Sequence, residues 1–380
     1  GAANNSVYLG TEQNTHVNQV ASEELSAFGA ATWYMGDHTV KFGFDYQKND
    51  LLNFYGRNLN GVYVFANTAA FRAGTPSQYI VRAPLPGGSY ADIPAEYTMK
   101  NTGVFLQDSW AVNYNLTLQF GVRLDIPDFS EQKLYNPLIE SIYGYDNTNT
   151  VEDSLVQPRF GFNYTFDRDR PTQLRGGVGL FGGAAPNVWL AGTYQNTGLN
   201  YAEYTVNNPG AIFTPDVNPP YIPAGGGSAA CTPVATLASC PRANVDIAGP
   251  GLKLPSVWKA NLAFDHELPW YGIVASAELL VTKVNDGIFI ERLDMYNANG
   301  DGPTAYGPDG RALFWNAAGR NPANAGNFGI SNGTGGAQGK ANRPNGIGDV
   351  MLLRNTSNGG SQQFTVGLSK PMVNDWAWSL

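Results

Sequence analysis

The residues best suited to chemistry are few and scattered. Three histidines, His16, His38 and His266, lie far apart, and no His-x-x-His or His-Glu-x-x-His spacing joins any two. Metal ions need several donors converging on one point, so no metal centre is predicted. Cys231 and Cys240 sit in a Gly/Pro/Ala-rich stretch with no histidine nearby. Their separation fits no zinc pattern; a local disulfide pinning a long loop in an oxidising compartment is the favoured reading, with two free thiols as the alternative. Gly176-Gly177-Val178-Gly179-Leu180-Phe181-Gly182-Gly183 shares only its glycines with a phosphate-binding loop, since no Lys-Ser/Thr follows and no helix is predicted behind it. No Ser/His/Asp order supports a hydrolase. An enzyme is not predicted, and nothing calls for a cofactor.

The elements that must position any site are strands. Val40, Phe42, Phe44 and Tyr46 alternate with Lys41, Gly43, Asp45 and Gln47. Leu116, Leu118, Phe120, Val122 and Leu124 alternate with Thr117, Gln119, Gly121, Arg123 and Asp125, and the same period recurs at 159–166, 258–265 and 364–369. Side chains alternate between the faces of a strand, so each segment has one apolar and one polar face. Ten strands are predicted, near 23–34, 38–54, 97–112, 115–126, 155–167, 172–183, 255–268, 272–290, 349–371, and from Trp376 onward.

The joins alternate strictly. Short turns fall at 35–37, 113–115, 167–171, 269–272 and 372–375, with Gly, Pro, Asn or Asp where a fixed or positive φ is wanted. Long irregular stretches fall at about 55–96, 126–154, 184–254 and 293–348, and Gly326 to Asn345 reads as a mobile surface loop. An up-and-down meander then carries all short turns at one end and all long loops at the other. That is the asymmetry of an outer-membrane barrel, and it is predicted over a soluble β-sandwich. The apolar faces are nearly free of charge, as lipid requires. Trp33, Tyr34, Trp110, Tyr114, Trp270, Tyr271, Trp376 and Trp378 gather near segment ends, where headgroups favour them.

Composition agrees. Charged residues are only 14% of the 380, against roughly 25% in soluble domains. Gly (45), Tyr (20) and Phe (19) are abundant, which disfavours helix. A net charge of −8 without any Lys/Arg cluster argues against nucleic acid as a partner. No run of about 18 apolar residues forms a membrane helix, and none is needed in a barrel, whose strands cross in about 9–11 residues. The opening residues, polar and uncharged, do not form a signal peptide, so a mature or trimmed chain is expected. Asp108, Arg123, Asp125 and Arg159 fall on neighbouring strands and are predicted to face the lumen, as charges at membrane depth must. Two readings stand for them, ion pairing within the wall, which is favoured, and contact with a plug or solute.

Particular residues resemble a family. Asn101-Thr102-Gly103-Val104-Phe105-Leu106-Gln107-Asp108-Ser109-Trp110, followed after a turn by Leu116-Thr117-Leu118-Gln119-Phe120-Gly121-Val122-Arg123-Leu124-Asp125, resembles a hairpin of TonB-dependent outer-membrane receptors. Gly36 to Tyr46 looks like the hairpin before it and Gln157-Pro158-Arg159-Phe160-Gly161-Phe162 like the strand after it. Asn53-Phe54-Tyr55 and Gly61-Val62-Tyr63-Val64-Phe65 place the resemblance nearest the Oar-like branch. It runs over most of residues 28–290 and is weaker beyond.

The resemblance implies a plugged barrel of roughly 22 strands, energised by TonB–ExbB–ExbD. Residues 1–380 would be part of one barrel domain, with plug and closing strands outside the chain. The outer loops, above all 184–254 and 293–348, would bind a ligand of siderophore, saccharide or peptide class for energy-dependent uptake. Trp189, Tyr194, Tyr201, Tyr204, Tyr221, Phe314 and Trp315 are the candidate contacts, with packing among the loops as the competing role. A passive channel and a surface adhesion barrel without transport are the rival functions.

Overall fold

The computed structural model describes residues 7–85, 88–130, 133–151, 153–214, 242–296, 303, 305–314, 346–373 and 375–380. β1 (Asn18–Met35) and β2 (His38–Tyr55) form the first hairpin. A long connection carrying β3 (Val62–Val64), α1 (Thr68–Arg72) and β4 (Gln78–Pro84) leads to the hairpin of β5 (Ala95–Ala111) and β6 (Leu116–Phe129). α2 (Pro137–Tyr143) precedes the hairpin of β7 (Leu155–Thr165) and β8 (Thr172–Gly182). α3 (Asn187–Gln195), β9 (Tyr201–Asn207) and β10 (Ala243–Ala248) precede β11 (Ser256–Glu267) and β12 (Val274–Arg292). The small hairpin of β13 (Ala305–Tyr306) and β14 (Ala312–Leu313) is followed by β15 (Ile347–Thr356), β16 (Gly360–Val373) and β17 (Trp376–Ser379).

The wall is an antiparallel meander, β1-β2-β5-β6-β7-β8-β11-β12, that continues through β15 and β16 to β17. The stretch predicted as one strand over 349–371 is two, β15 and β16. They lie along β12 in a single register, Gly287 opposite Thr356 and Lys283 opposite Gly360, and are interrupted at residues 357–359. The turns follow local chemistry. Gly36 takes a φ of 59°, Tyr271 and Gly272 take 56° and 65°, and the Asn113 side chain accepts from the backbone N–H of Asn115 and Leu116 at 2.9 and 3.0 Å.

One face of this wall is apolar and uncovered. Phe42, Leu106 and Val122 stand in one row; Phe120, Phe160 and Val178 in another; Leu262, Leu279 and Phe364 in a third. All nine are exposed. Apolar rows this extensive on an outer surface have no water-compatible explanation. Lipid is their solvent.

The buried apolar core lies elsewhere. Three clusters sit at the end of the long connections: Leu51, Tyr97, Leu190 and Tyr194 with their neighbours; Ile139, Val245, Ile247 and Val350 with theirs; and Tyr79, Val81, Ala202 and Tyr204 with theirs. β3, β4 and β9 form a small separate sheet, and β10 pairs in parallel with β15. The described parts of the long connections, predicted as irregular, are corrected here, since they fold into a packed layer; residues 326–345 lie outside the described residues. The strands of this layer are short, and β4 finds its second partner in another connection more than a hundred positions away, as in Val81 opposite Tyr204.

Candidate functional site: the polar wall and the outer layer

On the polar face, register brings charged residues into reach. Arg123 of β6 contacts Asp45 of β2 at 2.6 and 2.9 Å and Asp125 of its own strand at 2.6 and 3.1 Å. Gln157 of β7 donates to Asp125, and Arg159 donates to Gln157 at 3.3 Å. Lower on the wall, Arg175 pairs with Asp265 at 3.1 Å and approaches Glu278 at 4.0 Å. Arg123, Asp125 and Arg159 therefore share one face, on which Gly103, Gly121, Gly161, Gly177 and Gly179 alternate with them.

Asp108 departs from its predicted place and is a correction. It stands opposite Val40 and Phe120, on the apolar face, one rung from the first turn. There its Oδ2 lies 2.7 Å from His38 Nδ1, and the His38 ring stacks on Trp110 at 5.3 Å. A charged group on this face is tolerable only near the interface, where an aromatic belt and headgroups begin. The other histidines are also engaged locally. His16 Nδ1 accepts from the Asn60 backbone at 3.1 Å, and His266 Nδ1 meets Thr172 Oγ1 at 2.8 Å. Among the described residues no group of three His, Cys, Asp or Glu side chains is placed to hold a metal ion.

The outer layer places the predicted aromatic contacts unequally. Tyr194 is 8% exposed, stacked on Tyr97 at 4.6 Å, with Lys133 Nζ 4.7 Å above its ring. Tyr204 is 3% exposed inside the β3–β4–β9 sheet. Tyr201 donates its hydroxyl to Asn196 Oδ1 at 2.6 Å and lies 5.6 Å from the Arg82 guanidinium. Tyr194 and Tyr204 are packed inside the layer, and Tyr201 is partly buried. Trp189, 40% exposed, offers a surface, and Phe314 lies 6.1 Å from Tyr296 at partial exposure. Tyr221, Trp315, Cys231 and Cys240 lie outside the described residues.

Burial shapes the electrostatics of this layer. Asp246 accepts from Asn196 Nδ2 at 2.7 Å, yet desolvation dominates and pushes its carboxyl up to about 6. Desolvation likewise lowers Lys133 to about 7, while it donates to the Asn149 carbonyl. The hydroxyl of Tyr201 is pushed up to about 12 by burial.

A further feature escaped sequence reasoning. Tyr63, Phe65, Phe71 and Phe213 form a ring cluster with centroids 5.1–6.5 Å apart, on three separate segments of the outer layer. Tyr63 and Phe65 lie within the stretch Gly61-Val62-Tyr63-Val64-Phe65, and no pattern in the residues joins them to Phe71 or Phe213. Phe71 and Phe213 are brought to it by α1 and by the chain following β9.

A family model described as an outer membrane beta barrel domain matches residues 2–378. Among solved structures, similarity extends to a point mutant of the ferric enterobactin receptor PfeA from Pseudomonas aeruginosa, at TM-score 0.48 and 12% identity over 95% of this chain and 35% of that one. The copper transporter OprC matches at TM-score 0.43 and 12% identity over 96% and 39% of the two chains. The FrpB iron transporter from Neisseria meningitidis (F3-3 variant) matches at 0.44 and 10% over 94% and 34%. The chain thus spans between about a third and two fifths of the length of these structures. No curated protein matches the sequence.

Proposed function

The chain belongs to the outer membrane beta barrel domain family, and from that premise we propose that it is the wall and outer loop layer of a TonB-dependent receptor, capturing a ligand outside for energy-dependent uptake. It is an outer-membrane protein and not an enzyme. The observation that carries the proposal is the division of labour along the strands. One face meets lipid, the other is polar, and the described parts of the long connections form, at one end of the strands, a layer with its own core. A pore needs only the wall. A packed outer layer is the cost-bearing addition that ligand recognition explains. The motif order over residues 28–290 supports the TonB-dependent reading and, within it, the Oar-like branch.

In this reading the domain continues beyond the given residues. β1 and β17 each present one side without a partner strand among the described residues, and an open sheet edge is not stable in hydrocarbon. A plug, further strands toward about 22, and engagement of TonB–ExbB–ExbD through that plug belong to the same proposal. The ligand would be a siderophore, saccharide or peptide.

Uptake by the protein in its own outer membrane tests this. Cells with and without TonB would be supplied with panels of ferric siderophores, oligosaccharides and short peptides. One panel member should be accumulated only with TonB, and deleting residues 184–254 should abolish its binding. Accumulation that persists without TonB would establish the passive channel instead. Binding without accumulation would establish the adhesion barrel.

A further inference from the structure

α3 joins parts of the outer layer that the wall holds far apart. Leu190, Ala191 and Tyr194 share one buried cluster with Leu51 of β2, Tyr97 of β5, Ala248 of β10 and Leu353 of β15. In the wall β2 and β15 are separated by β5, β6, β7, β8, β11 and β12. Both ends of the helix are tied down. The Tyr97 hydroxyl donates to the Asn187 carbonyl at 3.1 Å, and Gln195 Nε2 donates to the Tyr55 carbonyl at 3.0 Å.

Two ionisable side chains press on this helix from opposite faces. Lys133 Nζ stands 4.7 Å above the Tyr194 ring, which stacks on Tyr97. Asp246 lies against the other face. Its Oδ2 accepts from Asn196 Nδ2 at 2.7 Å, and its backbone N–H donates to the Asn196 carbonyl at 2.9 Å. A β carbon at Gly192 would come within 2.5 Å of the same Oδ2. Positions 192 and 196 are four apart and share a face, while 194 points roughly 200° away from 192. The body of the helix, about 10 Å thick, therefore stands between ammonium and carboxylate. Neither side chain is in an ion pair among the described residues. Lys133 meets the Asn149 carbonyl, and Asp146 is the charge that acts on it. Asp246 feels Asp349, Arg292 and Tyr201, but Arg292 is already held by Asp294 at 2.8 Å and Asp349 at 2.6 Å.

We propose that α3 is a charge-strained latch of the outer layer, seated when either flanking charge is removed and loosened when both are present. Burial sets the window. Desolvation brings Lys133 down to about 7 and Asp246 up to about 6. Opening returns both to water and to their ordinary values of 10.5 and 3.8. Between 7 and 10.5 Lys133 binds more protons when the latch is open, so seating strengthens as pH rises through that range. Between 3.8 and 6 Asp246 binds more protons when the latch is seated, so seating strengthens as pH falls through that range. Both costs are complete only at about pH 6–7, and there the helix is held least. The latch does not rest on the receptor reading, and TonB-independent uptake would leave it standing.

Hydrogen exchange of Asn187–Gln195 in the full-length protein, corrected for intrinsic rates, tests the latch from pH 4.5 to 8.5. Opening should be greatest at about pH 6–7, several-fold less at pH 5 and about tenfold less at pH 8.5. Lys133→Met should remove the alkaline arm alone, and Asp246→Asn the acid arm alone. Leu116–Phe129 of the wall is the control and should show neither arm. Gly192→Ala tests the geometry without titration. Alanine favours helix, yet opening should rise roughly threefold or more, because its β carbon meets the carboxylate. G192A/D246A should reverse that rise. Heat-modified gel mobility reports folding, and K133Q or D246S takes the place of a variant that fails to fold. Opening that changes in one direction only across the range overturns the proposal. So does a profile that survives both K133M and D246N, the same profile in Leu116–Phe129, or slower opening in G192A.

Discussion

Arg123 holds Asp45 from two strands away, its guanidinium passing over Gly103 of the intervening strand to place nitrogens 2.6 and 2.9 Å from the two carboxylate oxygens. The bridge is possible only because position 103 has no side chain. With Asp125 on the same guanidinium, one arginine neutralises two carboxylates in the wall. Bidentate geometry of this kind is specific to arginine.

Replacing Arg123 with methionine should therefore lower stability by about 2–3 kcal/mol, because two partly buried carboxylates lose their partner. Asp45→Asn should cost less, since Asp125 still pairs with the arginine. Gly103→Val should approach the cost of the arginine substitution by blocking the bridge. Urea midpoints of the refolded barrel in lipid vesicles check the order. Equal midpoints for R123M and the parent would refute it.

The assignment of faces predicts opposite outcomes at adjacent positions of β5. Leu106, 51% exposed on the apolar face and six residues above the turn, would lie near mid-bilayer. Leu106→Arg should cost about 2–4 kcal/mol or prevent insertion. Gln107→Arg, on the polar face, should insert normally. Heat-modifiable mobility and vesicle insertion yields report the difference, and tolerance of arginine at both positions would refute the assignment of faces.

Asp246 makes the outer layer sensitive to acid in an unusual direction. Its folded value, about 6, stands above the ordinary 3.8, so the folded layer binds more protons than the unfolded chain between about pH 4 and 6. Stability is then greatest below pH 4 with respect to this group and falls as pH rises through 6, by about 3 kcal/mol at most. Asp246→Asn should flatten that dependence. Hydrogen exchange of Ala243–Ala248, corrected for intrinsic rates, measures it. Slower exchange at pH 7.5 than at pH 5 in the unsubstituted protein would contradict the sign.

Packing and contact roles among the aromatics separate under truncation. Tyr194→Ala removes a ring buried against Tyr97 and should destabilise the outer layer by about 3–5 kcal/mol. Trp189→Ala removes a half-exposed ring and should change stability by less than about 1 kcal/mol. Its effect should appear in ligand affinity. Protease susceptibility of the loops reads the first and binding of the transported panel member the second.

Period-two alternation is a local property, and for that reason the wall was legible in the residues alone. Each strand announces its own two faces, and the turn residues announce where the chain reverses, so eight predicted strands recur with shifted ends as β1, β2, β5, β6, β7, β8, β11 and β12. Even the place of Asp108 was written in its parity with Leu106 and Trp110, although grouping by charge obscured it. Tertiary structure alone decided what depends on register and on distant segments: the reach of Arg123 over Gly103, the placing of Lys133 and Asp246 on opposite faces of α3, and the packing of Tyr194 and Tyr204 into a core. Short strands such as β4 and β9 acquire their stability from each other and not from their own residues. Their pairing, across more than a hundred positions, leaves no periodic trace in either segment strong enough to name its partner.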